Sequence, residues 1–119
     1  MREFWQNYID GAWCDGGAGR IDVIDPGNGT VLAVHALADT ADVDRAVRAA
    51  ERVHSSRVLV DMRPMERGRM VQEMGRWLLA HLDEIAEVLT REQGKPLWEA
   101  EIEVKGAALY FEYYGNQAV

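Results

Sequence analysis

The spacing of the apolar residues changes once along the chain, near Leu37, and this change limits the folds that the sequence can adopt. Before that point, short extended runs are separated by turns rich in Gly, Asp and Asn. After it, apolar residues recur every three or four positions, which is the spacing of one face of a helix. The pattern predicts an α/β chain: an amino-terminal β-hairpin or meander, with strands within about residues 7–36, followed by three to four helices.

Two turns divide the first third of the chain into extended runs. The Gly-rich turn at residues 15–19 separates a run at 7–13 from one at 20–24, and we expect these two runs to pair as a β-hairpin. Residues 25–29, which read D-P-G-N-G, form the second turn, because proline presets φ while Gly and Asn tolerate positive φ. A third strand is expected at residues 31–36.

Three helical segments are predicted, at about residues 40–53, 64–92 and 96–115. Asp39, with Asp42 three residues later, has the spacing of an approximate capping box for the first segment. Pro64 stands where a first-turn proline is tolerated at the start of the second segment. Its apolar stripe continues until Gly94, which is typical of a residue that ends a helix.

The third predicted helix carries one apolar stripe. Its members share a helical face: Leu97, Ala100, Val104, Ala107, Ala108 and Phe111. Three tyrosines widen that surface, and at helical spacing such aromatic residues usually pack into a core or a subunit interface: Tyr110, Tyr113 and Tyr114. The acids Glu99, Glu101 and Glu103 are interpreted as a solvated flank, because helix residues two apart point away from each other.

The charge balance argues against a nucleic-acid partner. The chain has 119 residues, with 13 Lys plus Arg against 20 Asp plus Glu and a formal net charge of -7, and that average field repels phosphate. No apolar run approaches the roughly 20 residues that cross a bilayer, so we expect no membrane helix. The single cysteine, Cys14, has no internal disulfide partner, and the first nine residues lack a signal-peptide core. These features favour a cytoplasmic protein.

No group of residues has the spacing of a catalytic or metal site. Cys14 stands beside Asp15, and a neighbouring acid disfavours a thiolate, so we interpret it as a small structural residue on a strand. The histidines are far apart in sequence and have no second ligand at zinc-like spacing: His35, His54 and His81. The Gly-rich turns lack the dinucleotide fingerprint and the P-loop pattern. Considered one by one, the residues therefore indicate a soluble, acidic α/β fragment and do not identify a reaction.

Several short motifs occur together in the order and spacing of the opening of the aldehyde dehydrogenase superfamily. They are Tyr8-Ile9-Asp10-Gly11-Ala12-Trp13, Ile24-Asp25-Pro26-Gly27-Asn28-Gly29, Asp42-Val43-Asp44-Arg45-Ala46-Val47, Pro64-Met65-Glu66-Arg67, Glu92-Gln93-Gly94-Lys95-Pro96-Leu97 and Tyr113-Tyr114. The chain resembles that family from about Asn7 to Gly115. It departs from the family at residues 55–60, which lack the usual tryptophan before the P-x-E-R turn.

The resemblance implies a parent enzyme that oxidises an aldehyde to a carboxylic acid through a cysteine thioester, with NAD or NADP as the hydride acceptor. The family's Rossmann-like fingerprint, catalytic cysteine, general-base glutamate and oxyanion asparagine lie downstream and match nothing here. Residues 1–119 are therefore expected to be a scaffold segment of the coenzyme-binding domain, with no catalytic or cofactor-binding residue and no coenzyme bound by the segment itself. Val23 and Glu92 match positions that in some members supply oxygen ligands to a structural sodium or potassium ion.

Two hypotheses from different classes follow. The preferred one is the scaffold portion of a cytoplasmic NAD(P)-dependent aldehyde dehydrogenase, whose partners are the remainder of the parent enzyme and further copies in a homo-oligomer. The alternative is a stand-alone, non-catalytic module that binds a partner protein through the faces that the parent would bury. An independently active small enzyme is disfavoured, because the nucleophile, the base and the cofactor cleft are all missing. The aldehyde, and the choice between NAD and NADP, stay open.

Overall fold

A computed structural model describes residues 4–118, which form two compact units that divide after Val58. The elements, in chain order, are β1 (Phe4–Trp5), β2 (Asn7–Ile9), β3 (Ala12–Cys14), β4 (Arg20–Ile24), β5 (Val31–Ala36), α1 (Thr40–Ser55), α2 (Pro64–Ala80), α3 (Leu82–Gln93) and α4 (Leu97–Asn116). The first unit holds the strands and α1, and the second holds α2, α3 and α4. Short strands followed by four helices confirm the predicted fold class. None of the helices within residues 4–118 is both long and apolar enough to cross a membrane.

The first hairpin is tighter than predicted. β2 pairs antiparallel with β3, with Asn7 opposite Cys14 and Ile9 opposite Ala12, so the predicted pairing of residues 7–13 with 20–24 was wrong. The turn between them consists of Asp10 and Gly11, whose φ values of 54° and 79° are both positive. That combination suits a two-residue hairpin turn, whose twist matches the strands it joins, and Asp-Gly is one of its preferred sequences.

A separate three-stranded sheet has the order β1-β5-β4. β4 pairs antiparallel with β5 across the predicted turn at residues 25–29, where the N–H of Gly27 donates to Asp25 Oδ1 at 2.8 Å. β1 runs parallel to β5, with Phe4 opposite Val34, and this pairing was not predicted because two residues carry no readable period. Ala33 and Ala36 of the central strand are buried.

A buried carboxylate joins the Gly-rich turn to the start of α1. The predicted capping box is present: the Asp42 N–H donates to Asp39 Oδ1 at 2.9 Å, and the Asp39 N–H donates to Asp42 Oδ2 at 3.0 Å. Asp42 Oδ2 also accepts the N–H of Gly17 at 2.7 Å, and Arg45 donates to Oδ1 at 2.6 Å. Asp42 is only 4% exposed. The hydrogen bonds from Gly17 and Asp39, aided by the Arg45 charge, outweigh burial and hold the pKa of Asp42 below its ordinary 3.8.

The segment predicted as one helix over residues 64–92 is divided at His81. The backbone leaves helical geometry there, with φ −115° and ψ 23°, and the His81 ring stacks on Trp77 with centroids 4.1 Å apart. The apolar residues keep their helical spacing across this break, so the periodicity did not reveal it. Pro64 is the first residue of α2, and Gly94 ends α3 with φ 73°, both as predicted.

α2 and α4 approach each other at small residues. A Cβ added at Gly68 would lie 2.4 Å from the carbonyl oxygen of Gly115, and one added at Gly75 would lie 2.9 Å from that of Ala108. The buried apolar residues of this unit are small as well: Ala86, Ala100, Val104 and Ala108. Within residues 4–118 no large side chain is completely buried. The second unit is therefore held by close backbone contact between helices, without large interior side chains.

We predict that Gly68→Ala destabilises the second unit by about 1–3 kcal/mol, because the added methyl must displace the Gly115 carbonyl. Gly106→Ala is the matched control, since a Cβ there meets nothing within 4 Å and alanine favours the helix by about 0.5–1 kcal/mol. Urea denaturation followed by circular dichroism measures both changes. Equal stability of the two variants would contradict the close packing of α2 on α4.

We also predict that Asp42→Asn lowers the free energy of unfolding at neutral pH. An amide has one accepting oxygen in place of two, so a donor among Gly17, Asp39 and Arg45 loses its partner. Because folding lowers the pKa of Asp42, the stability that its carboxylate contributes is present above the unfolded value of 3.8 and is lost as the pH falls through the folded value. The difference between wild type and variant should therefore shrink below about pH 4. Urea unfolding across a pH series tests this, and a difference that does not change with pH would contradict it.

Candidate functional site

One face of α4 packs within the second unit. Ala100, Val104 and Ala108 are buried, and α4 contacts both α2 and α3. These residues belong to the predicted apolar stripe, but Leu97, at the start of that stripe, is 49% exposed. The stripe is therefore only partly covered by the chain itself.

A second apolar surface lies on the opposite side of α4. We call it the outer stripe, and it consists of Trp98, Ile102, Leu109 and Tyr113, each more than half exposed. These positions fall at i, i+4, i+11 and i+15 and so share one helical face. The sequence pattern indicates one apolar face and does not reveal this one, and Tyr113, predicted to widen the first face, belongs to the outer stripe. A helix that is apolar on opposite sides is usually buried within a larger protein.

The other helices also expose large apolar side chains. In α2 these are Met65, Met74, Trp77 and Leu79, and in α1 they are Val43, Val47 and Val53. The α1 residues recur at helical spacing, and nothing within the described chain covers them. Several large apolar side chains exposed on neighbouring turns of a helix are typical of an interaction site. The candidate site is therefore a set of docking faces, and the outer stripe is the one on α4.

The tyrosines predicted to pack are exposed within residues 4–118. Tyr110, Tyr113 and Tyr114 are each more than half accessible, and the rings of Tyr113 and Tyr114 meet edge to face at 5.2 Å. The expected interface around them stays a prediction. The neighbouring acids pair with lysines: Glu103 with Lys95 at 2.5 Å and Glu101 with Lys105 at 3.4 Å.

The two predicted cation ligands lie in different units. Val23 is in β4, opposite Ala33, and Glu92 is an exposed residue in the last turn of α3. Within the described residues no three side chains among His, Cys, Asp and Glu are grouped closely enough to hold a metal ion. Both named residues offer oxygen donors, which hard cations take, but two donors are fewer than a complete shell needs.

Cys14 has a basic neighbour that sequence proximity does not show. Arg45 Nη2 lies 3.9 Å from its sulfur, whereas the adjacent Asp15 accepts a hydrogen bond from Gln6 at 2.8 Å. The prediction considered only the acid, because Arg45 is 31 positions away in the chain. The ring nitrogens of His35 and His81 each meet a backbone carbonyl, that of Ala36 and of Trp77 respectively.

Comparison with known proteins gives a consistent result. The family model described as "Aldehyde dehydrogenase family" matches residues 13–119. The chain is 34% identical over 111 residues to succinate-semialdehyde dehydrogenase [NADP(+)] of Saccharomyces cerevisiae, covering 93% of this chain and 22% of that protein. It is 37% identical over 100 residues to malonate-semialdehyde dehydrogenase 1 of Bacillus licheniformis, covering 83% of this chain and 20% of that protein.

Solved structures agree with the sequence relatives. An NAD-dependent aldehyde dehydrogenase from Sinorhizobium meliloti matches with a TM-score of 0.91 and 28% identity over 98% of this chain and 24% of its own. Betaine aldehyde dehydrogenase from Staphylococcus aureus, solved in complex with NAD+, matches with a TM-score of 0.91 and 26% identity over 94% of this chain and 22% of its own. The chain thus spans less than a quarter of the length of these relatives. It belongs to the aldehyde dehydrogenase family and corresponds to an amino-terminal portion of its members.

Proposed function

We propose that the chain acts as the scaffold portion of the coenzyme-binding domain of an NAD(P)-dependent aldehyde dehydrogenase. The observation that carries this proposal is the distribution of side-chain sizes in the second unit, where the buried residues are small and large apolar residues are exposed. Small residues occupy its interior, while Trp98, Ile102 and Leu109 lie outside. Such a surface is suited to pack against the remainder of a larger domain.

The energetics favour docking of the outer stripe. Burying a large apolar side chain completely stabilises by about 1.5–3 kcal/mol, so covering the exposed part of each stripe residue yields roughly 1 kcal/mol. The whole stripe then contributes on the order of 4 kcal/mol before the entropic cost of association. That amount is a large share of the stability of an ordinary domain.

In this proposal the reaction belongs to residues outside the segment. The parent oxidises an aldehyde through a cysteine thioester, and the segment supplies no nucleophile, base or coenzyme contact. The yeast relative is named for NADP(+), and the Staphylococcus aureus structure contains NAD+, so both coenzymes stay open for the parent. The solitary cysteine supports a cytoplasmic location.

A monovalent cation is a further part of the proposal. The backbone carbonyl of Val23 and the carboxylate of Glu92 are each assigned, separately, as an oxygen ligand of sodium or potassium, and the other ligands would come from water or the remainder of the parent. The exposed position of Glu92 supports this assignment, because its carboxylate is accessible to an ion.

We predict that the isolated chain does not reduce NAD or NADP when an aldehyde is added, whereas a chimera does. The chimera replaces the matching portion of the yeast succinate-semialdehyde dehydrogenase with this chain. We expect the chimera to form NADPH from succinate semialdehyde at a rate within about tenfold of that of the yeast enzyme. The reason is that a scaffold positions the catalytic residues but takes no part in the chemical step. Ultraviolet absorbance of the reduced nicotinamide measures the rate.

Two results would contradict the scaffold role. One is turnover by the isolated chain that is lost on unfolding, and the other is an insoluble or inactive chimera beside an active yeast enzyme prepared in the same way.

Thermal melts of the chimera also test the cation assignment. Sodium or potassium should raise the melting temperature of the chimera and should not do so after Glu92→Gln. An identical rise in that variant would remove Glu92 from the ligand set.

We further predict that the isolated chain associates with itself through the outer stripe. Its mass in light scattering should rise with concentration, and Ile102→Glu combined with Leu109→Glu should weaken the association at least about 30-fold, because two apolar contacts become charged. Ala41→Glu combined with Gln93→Glu adds the same charges at exposed positions outside the stripe and should leave association nearly unchanged. A constant monomer mass for the wild-type chain would favour the alternative of a stand-alone module.

A further inference from the structure

A groove of about 420 Å³ lies between the first hairpin and α1, entirely within the first unit. The residues that line it are Ile9, Asp10, Ala12, Cys14, Arg45, Arg48 and Arg52. Ile9, Ala12 and Cys14 lie on one face of the hairpin, because Ile9 is paired with Ala12 and alternate strand residues share a side. The groove thus has a largely apolar floor and a basic wall.

The basic wall is built by three arginines on one face of α1. Arg45, Arg48 and Arg52 fall at i, i+3 and i+7, a spacing that places them in one row along the helix. The outer two are anchored by acids: Arg45 lies 2.6 Å from Asp42 and Arg52 lies 2.6 Å from Asp10. Each guanidinium carries five N–H donors, so both retain donors for another acceptor.

Arg48 differs from its two neighbours. Within residues 4–118 it forms no ion pair, although it lines the same groove. A solvated arginine on a convex helix face needs no partner, but this one stands in a concavity between two anchored guanidinium groups. The row is a local concentration of positive charge in a protein whose net charge is -7.

We propose that this groove binds a small organic anion that carries two acidic groups, either carboxylates or phosphates. Arg45 and Arg52 are separated along α1 by about 10 Å, so the row matches an elongated dianion better than a single compact ion. Arg48 supplies the uncompensated charge, and the planar guanidinium groups suit carboxylate and phosphate oxygens. The apolar floor of Ile9 and Ala12 accommodates the carbon chain between the acidic groups. This inference does not depend on the parent enzyme.

Cys14 provides a built-in reporter for the groove. It is the only cysteine of the chain, so alkylation reports on this position alone. The experiment compares the rate constants for iodoacetate, which is anionic, and iodoacetamide, which is neutral, using the full 119-residue chain and mass spectrometry. The rate ratio of iodoacetate to iodoacetamide should be about tenfold higher for the native chain than for the chain in urea, because basic groups concentrate anions.

Variants assign this preference to the arginine row. Arg48→Gln should reduce the rate ratio at least about threefold, while Arg48→Lys, which keeps the charge, should retain most of it. Arg69→Gln is the matched control, because Arg69 is an exposed arginine of α2 that does not line the groove. An equal ratio in native and urea-unfolded chain, or an unchanged ratio in Arg48→Gln, would overturn the proposal.

Protection of Cys14 from iodoacetamide identifies the class of ligand. Glutarate is the dicarboxylate probe, pyrophosphate is the phosphate probe, and glutaramide is a neutral molecule of similar length. Protection by glutarate or by pyrophosphate, lost in Arg48→Gln, supports the anion site and tells which acidic group it prefers. Equal protection by glutaramide, or no protection by either anion, would overturn it.

Discussion

The close approach of α2 and α4 governs the second unit. Where Gly68 meets the Gly115 carbonyl and Gly75 meets that of Ala108, no space remains for a larger side chain between the helices. The buried residues there are alanine, valine and glycine, while a large residue at the contact, Phe111 beside Gly75, remains partly exposed. The outer stripe lies on the side of α4 that this packing does not cover.

A single carboxylate has a comparable role in the first unit. Asp42 binds the Gly17 N–H, completes the capping box with Asp39 and pairs with Arg45. Because these bonds fix the first turn of α1 against the Gly-rich turn, they also fix which face of α1 carries Arg45 toward Cys14. The position of Arg45 in the basic groove therefore depends on Asp42, a buried acid that does not itself line the groove.

Features encoded within three or four residues were readable from the sequence. The capping box of Asp39 and Asp42, the first-turn position of Pro64 and the helix end at Gly94 all depend on local backbone chemistry. Pairing was harder, because the Asp10-Gly11 turn lay within a run taken as one strand. The break at His81 leaves the helical spacing of apolar residues intact, so no periodic signal reports it.

The parts of the candidate sites that could not be predicted from the sequence depend on contacts between residues distant in the chain. The order and spacing of short motifs were enough to predict the family. Motifs do not indicate which apolar face of a helix remains exposed. The outer stripe became visible only when Ala100 and Val104 were seen to occupy the opposite side of α4. The outer stripe and the basic groove also differ in the kind of partner they require. Only another protein surface can remove the stripe from water, whereas a dissolved anion can neutralise Arg48. They share no residue and belong to different units.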